Sequence, residues 1–91
     1  MPEPFSEHLG CEVVVDTHAA NLVYLGRLER ISKESLCLKS ADVHDLAESR
    51  TLREVYVMES KKLGIRANRK EVTIRMEEVV SISRLEDIVV Y

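Results

Sequence analysis

Residues 22–31, LVYLGRLERI, restrict the fold of this chain more than any other stretch. The run favours extended backbone, with Leu22, Tyr24, Gly26 and Leu28 in one phase and Val23, Leu25 and Arg27 in the other. A glycine inside a strand weakens pairing unless the strand must bend sharply or another backbone comes close. Ten extended residues with a glycine at their middle therefore predict a kinked strand in a tightly curled sheet.

The neighbouring segments supply the rest of that sheet. CEVVVD at 11–16 alternates, with Val13 and Val15 on one side and Val14 opposite. THAAN follows as a turn, with Asn21 suited to a left-handed position. SKE makes a second, tighter turn, and SLCLKSAD at 35–42 reads as a third strand with Leu36 and Leu38 inward. TLREVYVMESKKLG then changes period. Thr51 stands three residues before Glu54, a capping-box spacing, and Gly64 offers a left-handed stop. Leu52, Val55, Tyr56 and Leu63 can share a helical stripe that Glu59 interrupts, whereas Val55, Val57 and Glu59 also alternate as strand. The cap spacing favours helix. Strands follow at 71–76 and 79–83, separated by a break at Glu77 and Glu78, and RLEDIVVY adds one more extended segment. The prediction is a single domain over residues 1–91, mainly β: a small, strongly bent, five-stranded antiparallel SH3-like barrel. A helical insertion of about 43–70 separates strands three and four.

A chain of 91 residues buries roughly 60–65% of its unfolded surface, enough for one thin core. With four aromatic residues and no Trp, that core must come from Val, Leu and Ile, and no aromatic row is available for base stacking. The net charge is −3, but residues 1–60 carry −5 and residues 61–91 carry +2. The excess lies in KKLGIRANRKEVTIR, where six basic residues face Glu71 alone. Such a local stripe can hold a polyanion on an acidic protein, although a solvated loop explains it as well.

Two segments resemble the Sm/LSm family, in the manner of a divergent, bacterial-type Sm-like protein. VVVDTHAANLVYLGRLERISKESLCLKSAD resembles its first motif, through Gly26 and Leu28, Leu36 and Leu38, then Ala41 and Asp42. VTIRMEEVVSI resembles the second: Ile74 and Arg75 match, while Met76 stands where the family has glycine. The resemblance covers about 11–42 and 71–83, and the insertion falls at the family's most variable loop. It implies a homo-oligomeric ring in which strand four of one subunit pairs with strand five of the next. Val72, Ile74, Val79, Val80 and Ile82 then belong to the subunit interface. A head-to-tail contact of this kind also covers two sheet edges that need covering.

The resemblance further implies single-stranded RNA as a partner, with Arg75 at the position of a family ligand reader. Its usual companions have changed. Ser32 takes an aspartate's place, Ser35 an asparagine's, and Lys33 and Glu34 lie between without a stacking aromatic. Arg75 then either reaches RNA or pairs with Glu77 or Glu78. RNA contact shifts toward phosphates, through Arg75, Lys33, Arg66, Asn68, Arg69 and Lys70. The rival expectation is an assembly or protein-interaction module that kept the barrel and lost RNA recognition. Lys61 and Lys62, at a helix end, are accounted for by the dipole.

No catalytic chemistry is predicted. His8, His18 and His44 lack ligand spacing, and a helix start explains Asp45 and Glu48 beside His44. Cys11 and Cys37 stand singly and read as small buried hydrophobes. No nucleophile sits beside a base and no glycine-rich phosphate loop occurs. The expectation is a non-enzymatic protein without metal, cofactor or small-molecule substrate. Without a signal-like N-terminus or a membrane-length apolar run, it is expected in the cytoplasm.

Overall fold

A computed structural model describes residues 5–48 and 52–90. Its five strands are β1 (Glu12–Thr17), β2 (Leu22–Ile31), β3 (Ser35–Asp45), β4 (Arg69–Arg75) and β5 (Val79–Arg84). All neighbours are antiparallel, in the spatial order β4-β3-β2-β1-β5. One helix, α1 (Arg53–Leu63), lies between β3 and β4. The predicted architecture is present, with one correction: the sheet does not close into a barrel. The 3₁₀ turn Met76–Glu78 directly joins the two edge strands, β4 and β5. The Met76 N–H donates to Glu34 O at 2.8 Å, while Glu78 O accepts from the His18 N–H at 3.0 Å. One end of the turn is thus tied beside β3 and the other beside β1, so the two edges of the curled sheet approach here although β4 and β5 do not pair.

Gly26 sits where β2 and β3 press together. A Cβ at this position would stand 3.1 Å from Leu38 Cβ, 3.1 Å from Lys39 O and 3.2 Å from Ala41 Cα. Leu25 pairs with Asp42 and Arg27 with Lys39, so Gly26 alone opposes Ser40 and Ala41. Ser40 is the extra residue of this bulge, with φ at 50°. A second irregularity lies between Leu28 and Arg30. Together they bend the long strands, as the mid-strand glycine predicted.

The bent sheet is covered on both faces. Val13, Val15, Leu28, Leu36, Leu38, Ala41 and Ile74 fill one face, with Tyr24, Val72, Met76, Val79 and Ile82 around them. The opposite phase of β1 and β2 supplies Val14, Val23 and Leu25, which pack with Val57 of α1 and Leu85. The inserted helix therefore acts as the lid of a second core.

The orientation of α1 departs from expectation. Its sheet-facing side is Arg53, Tyr56, Val57 and Ser60, whereas Leu52 and Leu63 are 74% and 76% exposed and Val55 is also exposed. Polar anchors set this rotation. Arg53 donates to both carboxylate oxygens of Asp16, at 2.5 to 2.9 Å, and the Tyr56 hydroxyl donates to Asp42. Leu52 occupies the N-cap with no side-chain cap bond, and Thr51, the expected cap, lies outside the described residues. Gly64 ends the helix at φ 92°, its N–H donating to Ser60 O. The last segment is not an added strand: Leu85–Asp87 form a 3₁₀ turn, and Lys61 Nζ donates to the carbonyls of Glu86 (2.8 Å) and Ile88 (2.6 Å). Lys61 thus serves the C-terminal segment rather than its own helix end. Both cysteines are free thiols, and Cys37 is buried.

Candidate nucleic-acid interface

The turn at residues 32–35 is held by its first serine. Ser32 Oγ accepts from the N–H groups of Glu34 (3.3 Å) and Ser35 (3.2 Å), and the Ser32 N–H donates to Ser35 O at 2.8 Å. Serine satisfies a tight turn with its own hydroxyl, which leaves that group occupied. Register Ser35↔Arg75 brings β4 alongside, so Lys33, Glu34, Arg75, Met76 and Glu77 line one shallow cleft. Arg75 is 78% exposed and forms an ion pair with Glu77 at 3.1 Å. Met76 needs no glycine-like backbone, since its φ is not positive; its side chain packs against the first core.

The remaining predicted RNA contacts gather elsewhere. Arg69 starts β4 and Arg75 ends it, about 20 Å apart at strand rise. Arg66, Asn68, Arg69 and Lys70 are all exposed at that far end. Asn68 continues the β3–β4 ladder beyond Arg69↔Ala41 with its side chain. Asn68 Nδ2 donates to Val43 O and Asn68 Oδ1 accepts from the Val43 N–H, both at 3.0 Å, while its own N–H donates to Ala41 O at 2.8 Å. The structure thus brings Lys33 and Arg75 together, brings Arg66, Asn68, Arg69 and Lys70 together, and separates the two groups.

Charge pairing distinguishes them further. On the body of the sheet, Arg27 and Lys39 flank Glu29, Arg30 binds Glu71 at 3.2 Å, Arg53 binds Asp16, and Arg84 lies 3.6 Å from Glu86. Hydrogen bonding from Cys37 and then Arg30 holds the Glu71 carboxyl below its usual range. Among the described residues, Lys33, Lys62, Arg66, Arg69 and Lys70 have no carboxylate within 4.0 Å. Exposed pairs contribute little stability, but a paired cation has less field to offer a ligand.

The predicted interface residues occupy the two outer strands. Val80 is 57% exposed, Val72, Val79 and Ile82 are half-buried against the first core, and Ile74 lies within it. Sequence reasoning passed over the pair formed by His44 and Tyr56, whose rings stack at 3.8 Å with 9° between planes. The Asp45 carboxylate behind His44 accepts from Asn21 Nδ2 and the Ala47 N–H, both at 2.9 Å, so it serves a turn. Among the described residues, no three His, Cys, Asp or Glu groups are placed to hold a metal ion. No helix among them is long and apolar enough to cross a membrane.

The bent five-stranded antiparallel sheet, with its helix inserted between strands three and four, is an Sm/LSm-like fold. No family model and no curated protein matches the sequence. Among solved structures, the chain is similar to the LSM domain of Dm EDC3 (Enhancer of Decapping 3), solved in solution, with a TM-score of 0.55 and 17% identity. The match covers 92% of this chain and 64% of that one, so this chain spans under two-thirds of the length of the structure it resembles.

Proposed function

We propose that this protein is an Sm-like, RNA-associated protein that holds single-stranded RNA through its phosphates. The observation that carries this reading is the group Arg66, Arg69 and Lys70, exposed and, among the described residues, without carboxylate partners, at the head of an edge strand. The Sm-like fold supports it, because proteins of this fold are generally RNA-associated. With the Ser32 hydroxyl occupied by its turn and no aromatic among residues 32–35, base-specific reading at this turn is not expected. Arg75 and Lys33 add a second, weaker contact. Rings form by pairing β4 of one copy with β5 of the next, which covers both open edges and repeats the basic group around a rim. No catalytic role is proposed.

The test is a pair of variants in RNA titrations. Replacing Arg66, Arg69 and Lys70 together with Gln should remove about two units from the log–log salt slope, at roughly 0.7 per phosphate contact. Arg75→Ala should lower affinity less, because Glu77 already competes for that guanidinium. A triple variant with unchanged affinity and slope would remove the basic group from the interface.

A second reading is favoured by the Arg75–Glu77 pair itself: an Sm-fold assembly module without RNA binding. In that case Arg75→Ala changes the mass of the assembly by light scattering and leaves no RNA affinity to alter.

A further inference from the structure

We infer that the cleft between the Ser40 bulge and the segment 67–70 that leads into β4 is a phosphate subsite, with Asn68 as the positioning residue that builds it. That the phosphate belongs to an RNA chain rests on the proposed function; the cleft and the role of Asn68 do not.

The cleft measures about 330 Å³ and is lined by Ser40, Ala67, Asn68, Arg69 and Lys70. Two of these are cations, one is a hydroxyl and one is the smallest chiral side chain, so a tetrahedral anion meets donors without a bulky obstruction. Charge-assisted hydrogen bonds of this type are the strong ones. Glu71, the carboxylate next in sequence, is turned to Arg30 at 3.2 Å. Asp42, on the other side of Ala41, accepts from the Tyr56 hydroxyl.

Ser40 is one of two non-glycine residues with positive φ among the described residues. Backbone held in that region is costly and persists only where its surroundings impose it. Here the bulge pushes Ser40 out of the ladder, between Lys39 and Ala41, to the side where Asn68 crosses. A bulge re-aims a side chain, and this one places a hydroxyl beside Arg69 and Lys70.

Asn68 does not need to touch the ligand. Its amide stands in for a peptide group against Val43, with two 3.0 Å bonds, and its backbone N–H holds Ala41. Arg69 NH1 donates to Asn68 O at 3.1 Å, which links the cation to the same anchor. Without the side-chain bonds to Val43, the β3–β4 ladder ends at Arg69↔Ala41, and the start of β4 that presents Arg69 and Lys70 is left to fray.

The experiment follows backbone amides by NMR during a pyrophosphate titration, alongside anisotropy titrations of an oligouridine at several salt concentrations. Pyrophosphate should shift Ser40 and residues 67–70 first. Ser40→Gly keeps the backbone conformation, removes the hydroxyl and should weaken pyrophosphate about fivefold. Asn68→Ala should speed hydrogen exchange at Val43 at least tenfold while β1 amides stay protected, and should lower the salt slope for RNA although no charge is removed. Shifts centred on Lys33 or Lys62 overturn the subsite. An Asn68→Ala protein with a protected Val43 amide and an unchanged salt slope overturns the positioning role. If the oligouridine fails to bind while pyrophosphate shifts the cleft, the subsite stands and the RNA reading falls; if neither binds, the subsite falls with it.

Discussion

Replacing Gly26 with alanine tests the bend on which the rest of the architecture depends. The added Cβ meets Leu38 Cβ and Lys39 O at 3.1 Å and Ala41 Cα at 3.2 Å, against about 3.5–4.0 Å for a comfortable carbon contact. None of the three is the far end of a flexible side chain. No rotamer change relieves the overlap, and β3 must move away from β2. Overpacking of this kind costs about 1–3 kcal/mol, and the rigid neighbours argue for the middle of that range. A loss of about 2 kcal/mol lowers the melting temperature of a domain this size by about 8–16 °C. In urea it should move the midpoint down by about 1–2 M with an unchanged slope. Gly64→Ala is the contrasting variant: it strains a φ of 92° but meets nothing within 4 Å, so it should cost about 1 kcal/mol without disturbing β2 or β3. Wild-type stability in Gly26→Ala would refute the close approach of β2 and β3.

Burial, followed by the hydrogen bond to Asp42, pushes the Tyr56 phenol well above its ordinary value. The neutral form is thus favoured by folding: stability from Tyr56 is complete below pH of about 10 and declines as pH rises toward the raised folded value, which alkaline melts read directly. Tyr56→Phe should cost about 1–3 kcal/mol, because it leaves Asp42 half-buried without its donor; a neutral substitution would show that the bond contributes nothing. Arg53→Ala removes the bidentate pair with Asp16 and should loosen the start of α1 by about 1–2 kcal/mol, read as faster exchange along the helix with the strands unchanged. The Asp45 carboxyl is held low by Asn21 and then by the Ala47 N–H, so its contribution is present above the ordinary carboxylate range and lost as pH falls through the lowered value. Asn21→Ala should raise that titration midpoint in a carboxyl NMR experiment.

The bend was legible because a glycine inside a strand marks either a sharp bend or a close backbone approach, and Gly26 shows both; the strand bounds of β2 followed from alternation alone. The placement of α1 was not. Its residues can present several stripes, and the choice among them was made by Asp16 and Asp42, which lie on other elements far away in sequence. The second core left a signal that pattern reading underused: Val14, Val23 and Leu25 are apolar on the phase opposite Val13 and Val15, which requires a cover on that face. Barrel closure was overestimated because strand count says nothing about whether the two edge strands, β4 and β5, pair with each other. The candidate site was legible only as a list. Composition marked Arg66, Arg69 and Lys70, but the roles of Ser40 and Asn68 depend on a bulge and on register, neither of which periodicity reports.

The most direct test of RNA association is a fluorescence-anisotropy titration of a U-rich single strand at about 50 and about 150 mM salt. Binding is expected at the lower salt; the three contacts of Arg66, Arg69 and Lys70 alone give a slope near −2, so affinity should fall by at least about tenfold per engaged subunit at the higher. Absence of binding at the lower salt, with the protein folded and its assembly intact, would contradict RNA association and leave the Sm-like sheet as a surface for assembly.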